Sequence, residues 1–151
     1  MSISAPVDLV TIAVAAARKH GLDPSLVCAV IEQESAWNPW AMRYEPAFFA
    51  KYVASLYTNN KVSASEAYAR GFSWGLMQVM GQVARENGFG ERFLSGLCDP
   101  STGIEFGCRV LRKKLDLAKG DTLEGLLAWN GGGNPNYGVE VLARRGKYGS
   151  L

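Results

Sequence analysis

At 151 residues, with 48% hydrophobic and 20% charged side chains, the chain is long enough to bury a core without disulfides or a structural metal, and its composition is not that of a disordered protein. A net charge of +2 is too weak to argue for nucleic acid, and no apolar run approaches the length of a membrane-spanning helix. The cysteines Cys28, Cys98 and Cys108 are odd in number and lack the spacing of a disulfide framework or a zinc site. They read as free thiols, with Cys98 and Cys108 able to pair only if the fold brings them together.

Met1 to Pro6 carries no basic segment, and the apolar stretch from Val7 to Ala17 runs into Arg18, Lys19 and His20. No secretory leader is expected, so synthesis in a cytoplasm is. Asp8 to His20 reads as a helix stopped by Gly21, where a left-handed residue costs little. Asp23-Pro24 supplies a cap and a first-turn proline for a second helix running to about Trp37, which Asn38-Pro39 ends. Pro46 to Tyr57 reads as a helix and Thr58 to Asn60 as a turn. Ser63 to Ala69 reads as a helix with Glu66 at the capping-box position. A helix is expected from Leu76 to Asn87, after the Gly75 break. Pro100 to Lys119 is a long amphipathic helix capped by Asp99, with Ile104, Val110, Leu111, Leu115 and Leu117 on its apolar side. Thr122 to Asn130 is another helix, 131–135 a glycine-rich loop, and Asn136 to Arg145 the last helix. No period-two alternation persists long enough for a convincing strand. The expected fold is a mostly α single domain over 1–151.

On the second helix, Val27, Val30 and Ile31 define an apolar stripe, and Glu34 falls on it, whereas Glu32 points nearly the opposite way. A carboxylate on an apolar face breaks the binary pattern, and such breaks tend to mark functional sites. Burial raises a carboxyl's pKa and keeps it protonated near neutrality, ready to donate a proton to a leaving oxygen. A salt-bridged structural carboxylate, or a helix that ends early and leaves Glu34 in solvent, are the competing readings.

The stretch Ile31-Glu32-Gln33-Glu34-Ser35-Ala36-Trp37-Asn38-Pro39-Trp40-Ala41 resembles the catalytic motif of the soluble lytic transglycosylase family. Gly75-Leu76-Met77-Gln78-Val79-Met80 resembles its second motif. Asp99-Pro100 to Gly107, Ala128-Trp129-Asn130-Gly131-Gly132 and Tyr137-Gly138-Val139 with Val141-Leu142 are similar to its later blocks, in the same order. The resemblance implies a lysozyme-like α+β fold: a helical domain with a substrate cleft and at most a short β-hairpin. It implies peptidoglycan glycan strands as substrate, Glu34 as the single acid/base, and substrate contacts from Ser35, Ser73, Met77, Gln78, Trp129, Asn130 and Tyr137. It implies no cofactor and no metal, a monomer, and cleavage without water to leave a 1,6-anhydro end. Arg43 to Ser73 is longer than the family's usual link and resembles phage-type members, so a phage-infected host is expected, with release to the wall or a place in a virion. That insertion is expected to form a wall or lid of the cleft. Trp129 stands where the family has Tyr, so only a stacking role is expected to carry over. Glu45, Glu66 and Asp99 are the candidates for a second acid, each with an ordinary reading as a loop charge or cap. The rivals are a muramidase on the same scaffold and a catalytically silent wall-binding module.

Overall fold

The computed structural model describes residues 5–151. The leader expectation rests in part on residues 1–4 and lies outside them. Helix α1 (Val7–Lys19) stops where Gly21 turns left-handed, at φ 64°, and Leu22 N–H returns to Ala17 O at 2.8 Å. Helix α2 (Pro24–Ser35) opens as expected, the Asp23 carboxylate accepting from Ser25 N–H. It packs on α1 and on the last helix, and every residue from Ser25 to Glu32 is buried. The helix ends at Ser35, before the expected stop. Ala36 and Trp37 both turn left-handed, at φ 50° and 64°. For residues other than glycine this costs roughly 1–2 kcal/mol each. The turn persists because Trp37 is buried and its indole N–H donates to Tyr148 Oη at 3.0 Å.

Strands β1 (Met42–Tyr44), β2 (Phe72–Trp74) and β3 (Val79–Met80) form an antiparallel sheet in that order, with Arg43 opposite Ser73 and Trp74 opposite Val79. Strands this short leave no periodicity to read. Between β1 and β2 the insertion forms α3 (Pro46–Tyr52), α4 (Ala54–Thr58) and α5 (Ala64–Arg70). The single helix expected from Pro46 to Tyr57 breaks at Val53, which is buried. Phe49 stacks on Tyr68 with centroids 5.0 Å apart, and Tyr44 lies 5.4 Å from Phe72, so the insertion has an aromatic centre of its own.

Ser63 caps α5 as expected, its hydroxyl accepting from Glu66 N–H at 3.2 Å. The Glu66 carboxylate does not return to the cap. It accepts from Arg70 at 2.9 Å and from Arg85 at 2.7 and 3.0 Å. Arg85 also donates to the carbonyls of Phe89 and Glu91, so this cluster fastens the insertion to the body. Burial opposes the Glu66 charge, but the hydrogen bonds and charges of Arg85 and Arg70 outweigh it and hold the carboxyl below its ordinary range. The stability it contributes is therefore full above the ordinary carboxylate pKa and is lost as pH falls through the lowered one. Glu66→Gln is expected to cost about 1–3 kcal/mol at neutral pH, with the urea midpoints of variant and wild type converging on acidification.

The expected helix from Leu76 to Asn87 is mostly absent. Residues 75–78 form the β2–β3 turn, with Gly75 at φ 72° and Gln78 at φ 50°, and only α6 (Gly81–Glu86) is helical. Gln78 ties the turn down: its amide donates to Ala41 O at 3.0 Å and Gly75 O at 2.9 Å, and its oxygen accepts from Ser73 Oγ at 2.8 Å. A 3-10 turn (Leu94–Cys98) leads into α7 (Pro100–Leu117), capped by Asp99 on Thr102 N–H. Leu117 is 81% exposed and does not belong to the apolar side of α7. Helices α8 (Thr122–Asn130) and α9 (Tyr137–Arg145) and a 3-10 turn (Gly146–Tyr148) complete the chain.

The core gathers around α2, with Ile31, Leu76, Met77, Ile104, Leu111 and Leu126 fully buried. Burying each such side chain stabilises by about 1.5–3 kcal/mol. Cys28, Cys98 and Cys108 are free and buried, and burial pushes the Cys28 and Cys108 thiols up to about 12. Among the described residues no helix is long and apolar enough to cross a membrane. The architecture is mostly α with one small sheet, as a lysozyme-like fold requires.

Candidate active site

The last turn of α2 carries four polar side chains in succession, and each is held by a different neighbour. Glu34 is half-buried at the junction of α2, α8 and α9. Tyr137 Oη donates to its Oε1 at 2.6 Å, and Trp129 Nε1 donates to the same oxygen at 3.0 Å. Oε2 takes no hydrogen bond from the described residues and retains contact with solvent. Burial raises the Glu34 pKa, and this outweighs the opposing pull of the Tyr137 and Trp129 hydrogen bonds and of the Arg43 charge. The arrangement defines which oxygen does what. In the neutral acid, Oε1 is the carbonyl that accepts both donors, and Oε2 carries the proton toward the open side.

Tyr137 is buried, and its own pKa is driven up by burial and by Glu34, so it remains a phenol and a donor. Its hydrogen bond favours the charged form of Glu34. Tyr137→Phe is expected to move the Glu34 titration midpoint further up, as read by side-chain carboxyl ¹³C NMR. A fall in that midpoint would contradict the assigned donor.

Trp129 corrects the stacking-only expectation, because its indole N–H supplies a polar contact to Glu34. Ser35 donates to Leu76 O at 2.8 Å and lies 3.2 Å from Ile31 O, which couples α2 to the β2–β3 turn. Ser73 on β2 donates to Gln78 in the β2–β3 turn. Met77 is 0% exposed and packs on Gly107 of α7, so it offers no surface to a ligand. The Asn130 amide oxygen closes the glycine-rich loop, accepting from Asn134 N–H at 2.7 Å and Gly133 N–H at 3.2 Å. Glu34, Trp129 and Tyr137 are thus brought into contact, Ser35 adjoins them along α2, Ser73 on β2 bonds to Gln78 in the β2–β3 turn, and Asn130 shapes the loop.

The candidate second acids are engaged elsewhere. Glu45 pairs with Arg43 at 2.6 Å, Glu66 with Arg70 and Arg85, and Asp99 caps α7. Among the described residues no group of three or more His, Cys, Asp or Glu is placed to hold a metal. Two surface hollows, one lined by Asp23, Leu142 and Arg145 and the other by Val83, Val110 and Leu117, do not include Glu34.

Sequence reading missed Glu32, which it placed away from the apolar stripe. Glu32 is 5% exposed. It accepts from Lys147 Nζ at 2.6 Å and from Tyr148 Oη, with Arg144 nearby. Burial opposes its charge, but these partners prevail and hold its pKa below the ordinary value. One turn therefore carries one carboxyl whose partners lower its pKa and another whose burial raises it.

Residues 11–140 match the model of the Transglycosylase SLT domain. The chain belongs to that family. A relative from Enterobacteria phage PRD1, named Transglycosylase, is 31% identical over 134 residues, covering 88% of this chain and 38% of the relative. This chain thus spans well under half the length of that relative. No solved structure matches it. The family match takes in Glu34, Trp129 and Tyr137 and ends before the Gly146–Tyr148 turn that holds Glu32.

Proposed function

We propose that this Transglycosylase SLT domain cleaves the β-1,4 bond between N-acetylmuramic acid and N-acetylglucosamine in peptidoglycan, with Glu34 as acid and then base, and leaves a 1,6-anhydro end. The carrying observation is the Glu34 carboxyl itself: half-buried, its pKa raised by burial, one oxygen pinned by two donors and the other open. Glu34 Oε2 gives its proton to the glycosidic oxygen as the bond to C1 breaks. The substrate's N-acetyl oxygen stabilises the positive charge at C1. The Glu34 carboxylate then takes the proton of the muramic acid C6 hydroxyl, O6 bonds to C1, and the acid is restored. A second protein carboxylate, which a hydrolase normally uses, has no place in this cycle. The engagement of Glu45, Glu66 and Asp99 elsewhere supports that reading.

The phage relative, named Transglycosylase, supports a phage-borne transglycosylase. β1 and β2 are the roots of the insertion. Arg43 on β1 is close enough for its charge to act on Glu34, which supports the insertion as one wall of the glycan site.

The test is mass spectrometry of muropeptides released from purified sacculi. Anhydro-ended products are expected. Products heavier by one water would replace this reading with a muramidase, and binding to sacculi without release of soluble sugar would replace it with a wall-binding module.

A further inference from the structure

The Gly146–Tyr148 turn lies past the family match, yet it reaches the turn that carries Glu34. Tyr148 Oη donates to Glu32 and accepts from Trp37 Nε1 at 3.0 Å, and the two rings lie 6.1 Å apart. Glu32 precedes Glu34 by two residues and Trp37 follows it by three, so one hydroxyl bridges both sides of the acid. The Glu32 main chain completes the link, because its carbonyl accepts the last helical N–H, from Ala36 at 3.1 Å. Ala36 and Trp37 are the two consecutive left-handed residues, a conformation that surrounding contacts must enforce. Gln33 is also tied, accepting from Arg144 at 2.8 Å and donating to Glu140 at 3.0 Å. The elements that hold this turn converge from α9, the β2–β3 turn and the C-terminal 3-10 turn.

We propose that Tyr148 is a positioning residue for Glu34: through Glu32 and Trp37 it locks the last turn of α2 and so keeps the Glu34 carboxyl in its half-buried pose. Without the phenol, Glu32 and the Trp37 indole each lose a partner, the strained exit of α2 relaxes, and water gains access to Glu34. The proposal rests on Glu34 being the acid, but its physical core concerns the placement of that carboxyl alone.

The experiment compares wild type, Tyr148→Phe and Lys147→Met, each studied well below its own Tm. Lys147 contacts Glu32 only from the more exposed side, so Lys147→Met controls for a weakened buried charge with the Tyr148 bridge retained. The first readout is the Glu34 titration midpoint by carboxyl ¹³C NMR. It is expected to fall toward the ordinary glutamate value in Tyr148→Phe and to remain in place in Lys147→Met. The second readout is turnover on sacculi. kcat is expected to fall on the order of 10- to 100-fold in Tyr148→Phe with KM little changed, as displacement of a reacting group predicts. If Tyr148→Phe does not fold, Trp37→Phe, which removes the indole donor at the other end of the bridge and leaves the Tyr148–Glu32 bond, is expected to lower the midpoint by a smaller amount. An unchanged midpoint in the folded variant overturns the proposal, whatever its Tm. A lowered midpoint in a protein whose wild type releases no soluble sugar would uphold the positioning role and overturn the proposed function.

Discussion

Glu34→Gln is expected to lose turnover on sacculi by about 10²–10⁴-fold or more while remaining at least as stable as wild type. Gln keeps a carbonyl oxygen where Oε1 stands, so Tyr137 and Trp129 retain their acceptor. What it lacks is the ionisable proton on the other atom. The stability side has a definite sign. Burial raises the Glu34 pKa, so the stability this group contributes is full below its ordinary value of 4.5 and is lost as pH rises through the raised one. Gln has no such loss. The Tm difference in favour of the variant is therefore expected to open above that ordinary value and to reach its full size once pH passes the raised one. Scanning calorimetry from about pH 4 to pH 8 spans that window. A variant that stays active would remove Glu34 from the chemistry. One that is inactive but less stable than wild type at the alkaline end would show that burial does not burden the native carboxylate.

The largest effect on stability is expected at Gly75, which begins the β2–β3 turn. Its φ is 72°, and a Cβ there would stand 2.4 Å from the backbone oxygen of Leu97. The left-handed conformation and the overpacking together make Gly75→Ala cost about 2–5 kcal/mol. That is a large part of the roughly 5–15 kcal/mol by which a domain is stable. The effect reaches the acid, because Leu76 O, one residue on, accepts the Ser35 hydroxyl beside Glu34. Gly21 separates the two causes. It also has a positive φ, but a methyl group there would meet nothing within 4 Å, so Gly21→Ala measures the conformational cost alone. Urea denaturation of both is the measurement. Equal losses would mean that the Leu97 segment yields to the added methyl.

Features governed by near neighbours in sequence were legible. Asp23-Pro24 and Asp99-Pro100 start α2 and α7 where expected, because a capping carboxylate and a first-turn proline act within a few residues. Glu34 stood out on an apolar stripe. The same wheel misplaced Glu32, because α2 is buried on nearly all sides through Glu32 and its far face meets Tyr148 and Lys147, more than a hundred residues away in sequence. The segment from Leu76 read as a helix, but it bends at Gly75 and Gln78, and the bonds of Gln78 with Ala41 and Ser73 are set by tertiary pairing. Trp129 was read by its ring, whereas its indole nitrogen meets Glu34, a contact that exists only once α8 lies against α2.

The three shielded sulfurs carry a practical consequence. Inside the native fold they are poor targets for alkylating reagents and poor partners for one another, so reductant is not needed to keep the protein uniform during purification or when it moves between reducing and oxidising surroundings. Reagent uptake then reports only molecules that have opened, and Cys28 on α2 and Cys108 on α7 turn the centre of the fold into its own internal clock of unfolding.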